Sequence, residues 1–420
     1  LGIATLCFNK VRVGDWAISD LVFLLAAGVV CLKLLAGRTA DLAPTAMRKT
    51  SPQILIGTLV IVVAGTASSF GSYEPVRSVL MVVRIAWITL AWFWVMRAVS
   101  PNRATLNALL RGVRATVLIS CAGAMAGYLG FVQLTQQNNE DREAAFFNHP
   151  NELGGLLAMA LPLAILGVLS RNRQGQNATF VRRAALVGAM VTALGTTGSM
   201  TAFLSCLAGI ATVALLNLVT LRKVIGRRFR TPLPYMAGAL LVIGGLFWLS
   251  SSELPVVERF TELGEGGAAV SSSVDSRENL NAYVINRLDN SLLTGVGLDS
   301  DTSTAVDIAG GGASRVHNMY LKLMYESGVP ALVGLAIIVF AVVRQAWLLA
   351  VNTRNDELHP VVVGLFGALV AISVFALFQP LFAQRYYWLP VGLIGVIWAL
   401  RRQEIREADA LQAEAIRRLG

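Results

Sequence analysis

The sequence predicts an all-α polytopic integral membrane protein with about twelve transmembrane helices and one long outer loop carrying short helices. Three observations carry that expectation. Apolar runs long enough to cross a hydrocarbon core of ~30 Å recur along the 420 residues. Only 14% of residues are charged, against about 25% in soluble domains, while 55% are hydrophobic. The basic residues behind the net charge of +10 sit in short clusters between the apolar runs. A nucleic-acid-binding face would need them on one continuous surface, so the clusters read instead as topological signals.

In chain order the runs are Trp16–Ala36, Gln53–Gly71, Arg77–Val99, Ala115–Leu134, Asn151–Ser170, Arg183–Gly198, Met200–Leu221, Leu233–Ser250, Val329–Val351, Val361–Phe382 and Tyr386–Leu400. Leu1–Phe8 reads as the end of one further helix. Lys and Arg accumulate on the cytoplasmic side of membranes. Arg38, Arg48 and Lys49, then Arg103, Arg111 and Arg114, then Arg171, Arg173, Arg182 and Arg183 all follow even-numbered helices. So do Arg222, Lys223, Arg227, Arg228 and Arg230, with Arg354 and the tail residues Arg401, Arg402 and Arg406; Lys10 and Arg12 are the exception. Residues 1–420 are therefore expected to form one membrane domain with both termini cytoplasmic and residues 252–316 outside. Residues 403–420 read as a charged cytoplasmic tail, a helix lying on the membrane surface.

The four cysteines each lie within an apolar run, without metal or disulfide spacing, and read as packing residues. No Walker A or His-Glu-x-x-His sequence suggests ATP or zinc hydrolysis, and no cofactor is implied.

Chemistry is expected in the long polar loop, Thr261 to Tyr320. Histidine is scarce, with three in the chain. His359, before Pro360 in a connector, reads as solvated. His149 stands before Pro150 and Asn151 at a helix entry, where Asn151 suits an N-cap. His317 lies where the outer loop meets the membrane, immediately before a helix that begins near Asn318 and breaks at Gly328 and Pro330, and a neutral imidazole there can take a proton from a sugar hydroxyl. The cations expected on the same side are Arg77, Arg84, Arg142, Arg277, Arg287 and Arg315. Arg84 falls two turns inside the membrane, where an unpaired charge costs roughly 2.5–3.5 kcal/mol, so it needs a ligand or a carboxylate such as Asp20. Guanidinium groups bind phosphate oxygens bidentately, which suits a diphosphate leaving group. Val274–Asn290 reads as a helix between the glycine patches Gly264–Gly267 and Gly310–Gly312, forming a mobile flap.

Three short motifs then carry a resemblance. They are Arg142 with Phe147-Asn148-His149-Pro150-Asn151; Ser276-Arg277 followed by Thr294-Gly295-Val296-Gly297; and His317-Asn318 followed by Glu326-Ser327-Gly328-Val329-Pro330. In this order and topology, over about Asp20 to Leu389, the chain resembles the O-antigen ligase and polymerase family of bacterial envelope glycosyltransferases. The resemblance implies a multi-pass protein of the bacterial inner (cytoplasmic) membrane with a periplasmic active site. It implies an inverting, metal-independent transfer of polysaccharide from undecaprenyl diphosphate to an acceptor hydroxyl, on lipid A core or another envelope acceptor. His317 matches the base that deprotonates the acceptor, and Arg277 an arginine that engages the diphosphate. Arg84, Arg142, Arg315 and Arg77 are the further diphosphate candidates; Asn318, Tyr320, His149 and Asn151 would position the acceptor and loop. One departure stands out: after Thr196-Thr197-Gly198-Ser199, Met200 occupies the place of a family arginine. Arg84, Arg142 or Arg315 would have to take over its contact.

Two alternatives remain. A polymerase of the same family would differ only in its acceptor, a second lipid-linked glycan; the single prominent outer loop favours the ligase. A transporter or flippase of an anionic lipid or solute would use the arginines as a substrate site, but should show repeats and broken midplane helices.

Overall fold

The computed structural model describes residues 3–6, 8, 12–13, 16–36, 52–91, 102–132, 142–169, 177–221, 255–257, 259, 268–299, 316–353 and 356–419. These form a helical bundle. Its elements are α1 (Ile18–Leu35), α2 (Pro52–Ser69), α3 (Pro75–Ala86, continued by a π-helical turn over Trp87–Ala91), α4 (Arg103–Tyr128), α5 (Pro150–Leu169) and α6 (Asn177–Thr196). They continue with α7 (Met200–Leu221), α8 (Ala268–Ser291), α9 (Met319–Asn352), α10 (His359–Phe375), a 3₁₀ turn at Arg385–Trp388 and α11 (Leu389–Leu419). A two-residue antiparallel ladder, Arg12–Val13 with Trp16–Ala17, precedes α1.

Among the described residues, five helices are long and apolar enough to cross a membrane: α2, α4, α5, α7 and α9. The expected count of about twelve is not reached among them; the Leu233–Ser250 run lies outside the described residues. The helix expected to end over Leu1–Phe8 is replaced in its described part by tight turns, Leu6 N–H to Ile3 O and Phe8 N–H to Thr5 O. Ile3 packs on Gly112 of α4, and its carbonyl accepts from the Thr116 hydroxyl.

The bundle is apolar on both sides. Leu25 on α1, Val63 on α2, Leu215 on α7 and Phe340 on α9 are exposed, as a lipid-facing surface requires. Inside, glycines bring helices together. Gly57 of α2 and Gly334 of α9 face each other so closely that a Cβ on Gly334 would lie 2.6 Å from the Gly57 carbonyl. Gly209 of α7 and Gly367 of α10 make a similar approach. With lipid outside, such small-residue contacts let dispersion do what the hydrophobic effect does in water.

One feature follows the sequence reading, and a second departs from it. The Val329–Val351 run belongs to a longer element, α9, broken at Gly328 (φ 76°, ψ 172°). Pro330 has no N–H, so the Glu326 carbonyl loses its helical partner; it accepts instead from Gly297 N–H at 2.9 Å. Val329 N–H turns to Leu292 O, and Tyr325 O takes the Val296 N–H. The Thr294–Gly297 and Glu326–Pro330 motifs are thus one backbone-bonded knot tying the end of α8 to the kink of α9. The second feature is the tail: residues 403–419 continue α11 as one helix, so they project from the bundle instead of forming a separate surface helix.

The ends of the bundle sort into two groups. Arg103 and Arg401 share Asp356 and Glu404, bringing the start of α4, the α9–α10 turn and the tail together. His359, expected to be solvated, is buried beside this network in the first turn of α10. The starts of α5, α7 and α9 and the end of α6 gather at the opposite end.

Candidate functional site

At that opposite end, four segments converge. The strand-like residues before α5 run against the end of α6, with Glu143 N–H on the Thr196 carbonyl at 3.0 Å. This lays Arg142 across the tight α6–α7 turn. Its Nε donates to Thr197 O at 2.9 Å and its Nη2 to Asn151 Oδ1 at 2.8 Å. Gly198 (φ 58°) is required there, because a Cβ would stand 3.1 Å from Arg142 Nε and 3.2 Å from Pro255. Asn151, in the first turn of α5, is buried. Its side chain holds Arg142, while its backbone N–H donates to His149 Nδ1 at 3.1 Å.

Electrostatics show what else is close. Burial, with Arg259 and Arg277 nearby, lowers the Arg142 guanidinium to about 9, so it remains charged at neutral pH. Burial and Arg259 lower Arg277, on α8, in the same direction. Burial lowers His149 to about 4, with Arg142, His317, Arg277 and Arg259 adding to the effect. Arg142, Arg259, Arg277 and His317 therefore lie near enough to His149 to act on its charge. Among the described residues, two carboxylates stand close in the chain to Arg142 and His149. Glu152 accepts from Asn148 N–H at 3.3 Å and from Gln384 Nε2 at 2.7 Å. Glu143 packs against Gly127 of α4.

His317 precedes the first turn of α9, which is anchored on α10. Asn318 caps the helix, its Oδ1 accepting from Tyr320 N–H and Leu321 N–H at 3.0 and 3.1 Å. Met319 N–H donates to Ala376 O, and the Tyr320 hydroxyl donates to Ser373 O at 2.9 Å. Asn318 and Tyr320 thus fix the backbone that carries His317; both polar side chains are engaged within the protein.

Of the residues singled out from sequence, the structure brings together His149, Asn151, Arg142, Arg277 and His317. Arg315 lies outside the described residues. Arg77 is elsewhere engaged: its Nε and Nη2 grip Asp299 at 3.1 and 2.9 Å, and its Nη1 reaches Glu74 at 3.0 Å. Arg84 follows two turns along α3, half-buried, and is not among the charges that act on His149. Its suggested partner Asp20 belongs to another residue, since Arg385 Nε donates to Asp20 Oδ1 at 2.7 Å in a buried pair. Sequence reasoning missed Arg259. It lies in a stretch without a motif, and only its charge within the polar segment after Ser251 could have marked it.

The class follows from these observations: a helical membrane protein holding a cluster of cations beside a histidine at one end of its bundle. Residues 184–336 match the O-antigen ligase family, and over that stretch the chain is similar to it. The matched region contains Arg259, Arg277 and His317, whereas Arg142, His149 and Asn151 come from the segment before it. Comparison with curated proteins gives no match.

Proposed function

We propose that the protein is a ligase-type glycosyltransferase of the bacterial inner membrane, moving a glycan from undecaprenyl diphosphate to an acceptor hydroxyl on its periplasmic side. The single observation that carries this reading is the convergence of Arg142, Arg259 and Arg277 with His317. Like charges drawn together under partial burial repel one another, and an incoming dianion relieves that repulsion. A diphosphate supplies such charge and two sets of oxygens for guanidinium forks. The reaction needs no nucleotide. The acceptor oxygen attacks the anomeric carbon, its proton passes to His317, and the anomeric C–O bond breaks with inversion. Undecaprenyl diphosphate leaves with the bonding electrons, stabilised by the arginines.

Arg142 is the residue we assign to the contact that Met200 cannot make. Its guanidinium lies across Thr197 and Gly198, just before Met200 in the chain. In this scheme Arg259 and Arg277, from the described part of residues 252–316, contact the donor.

The test uses purified protein in detergent with an undecaprenyl-diphosphate-linked oligosaccharide and candidate acceptors, without added metal. Acceptor-dependent release of undecaprenyl diphosphate is expected, lowered about 10²–10⁴-fold in His317→Ala. Product length separates single transfer to lipid A core or another acceptor from polymerisation. Movement of the donor between leaflets without release would overturn the reading in favour of transport.

A further inference from the structure

Resting on that reading of the site, we infer that His149 is a second functional histidine: a neutral hydrogen-bond donor to the anion held by the arginines, positioned by Asn151. The argument is one of elimination on a ring with two nitrogens. Nδ1 accepts the Asn151 backbone N–H at 3.1 Å, so its lone pair is occupied and it carries no proton. A neutral ring with a bare Nδ1 carries its proton on Nε2. Neither nitrogen then offers a free lone pair, so His149 cannot serve as the base.

Nor is it a cation. Among the described residues the charges acting on it are Arg142, Arg259 and Arg277, with His317 as the fourth titratable neighbour, and burial together with them lowers it to about 4. Glu152, on the same turn, is bonded to Asn148 N–H and Gln384 and does not offset them. What remains is an Nε2–H donor in a space that three guanidinium groups prepare for an anion. A neutral donor adds a directed bond to a phosphate oxygen without adding to the repulsion the site already bears. Asn151 is the positioning residue. One side chain and one N–H of the same residue set both the Arg142 guanidinium and the His149 tautomer. The two histidines divide the work, His317 receiving the acceptor's proton and His149 holding the leaving group.

Two variants and one spectrum test this. His149→Phe keeps the ring volume and removes the donor; His149→Gln retains a side-chain N–H donor at comparable reach. The inference expects kcat to fall about 100-fold in His149→Phe and to recover to within about tenfold of wild type in His149→Gln. Equal loss in both variants would make His149 a base, and activity retained in both would leave it a packing residue; either result overturns the inference. If the wild type releases no undecaprenyl diphosphate, the transferase reading fails. His149 is then judged by the affinity for undecaprenyl diphosphate in detergent, weaker in His149→Phe than in His149→Gln if the inference holds and equal if it does not. Independently of folding in either variant, ¹⁵N-histidine spectra of the wild-type protein at pH 7 should show the His149 ring protonated on Nε2 alone. With three histidines in the chain, single substitutions assign the signals. A proton on Nδ1 would overturn the inference.

Discussion

Two charged clusters stand at the same end of the bundle and are built on opposite rules. In the first, burial and the like charges of Arg259 and Arg277 lower Arg142, burial and Arg259 lower Arg277, and Glu152, a carboxylate of the α5 entry, is bonded to Gln384 and Asn148. In the second, Arg77 and Lys322 are met by Glu74, Asp299 and Glu326. Lys322 Nζ lies 2.7 Å from Glu326 Oε1 and 3.9 Å from Asp299, while Arg77 clasps Asp299 from the other side. The second cluster is complete within the chain; its charges hold α3, α9 and the segment after α8 to each other. Among the described residues the first has no such carboxylate partners, which is why we propose that an anionic donor completes it. A count of arginines does not separate the two. The carboxylates opposite them do.

Substitutions should therefore act on different quantities in the two clusters. The largest effect is expected in the first: Arg277→Ala or Arg259→Ala should lower kcat about 10²–10³-fold. Thermal stability without donor should stay level or rise, because repulsion is removed. A loss of stability in step with activity would place these arginines in the second class. In the balanced cluster the expectation reverses. Lys322→Met leaves Glu326, 2% exposed, as a buried carboxylate without its cation. Breaking such a pair costs about 3 kcal/mol, read as a lower unfolding midpoint, while the folded fraction keeps its turnover. A third change tests the backbone knot beside this cluster. Gly297 has φ 103° and packs on Ser72 and Ser78, so Gly297→Ala should cost on the order of 1–3 kcal/mol. Thermal unfolding reads that too, and a neutral result would mean that the α8–α9 junction adjusts freely.

The sequence makes the first cluster only half legible, and the reasons are physical. Helix α8 was readable over Val274–Asn290 because its turn and glycine signals are local, and it extends over Ala268–Ser291. The break at Gly328–Pro330 was readable as well. What satisfies the Glu326 carbonyl was not, since the donor is Gly297 in another segment. Arg385 pairs with Asp20 across 365 positions, a contact no spacing rule reveals, so from sequence Asp20 reads as a carboxylate open to Arg84. Arg77 looked like a substrate cation because its carboxylate, Asp299, lies far along the chain. His359 looked solvated from its connector, yet helix packing buries it. Arg142 gave the clearest sequence hint, through the missing arginine at Met200. Its position over Gly198 follows only from the α6–α7 turn folding back on it.

The smallest expected effect is on acid stability, and it bears on the first cluster alone. His149 has its ordinary value of 6.5 in the unfolded chain and about 4 in the folded one. Between those values the unfolded chain binds the extra proton and the folded chain does not. Stability contributed by the neutral ring is thus fully present above about pH 6.5, declines as pH falls, and is lost through pH 4. Because the ring is only half-buried, solvent screens part of this effect, and the slope should be shallow. Unfolding midpoints measured from pH 7 down to pH 4 should fall less steeply for His149→Gln than for wild type. A diphosphate in the site should itself reshape the slope: its charge offsets the three guanidinium groups and makes a second proton on His149 easier to accept. Wild-type protein saturated with undecaprenyl diphosphate should therefore lose less stability over that range than protein without it. For Lys322→Met the slope attributable to His149 should be unchanged, since the balanced cluster is not among the charges that hold this ring neutral.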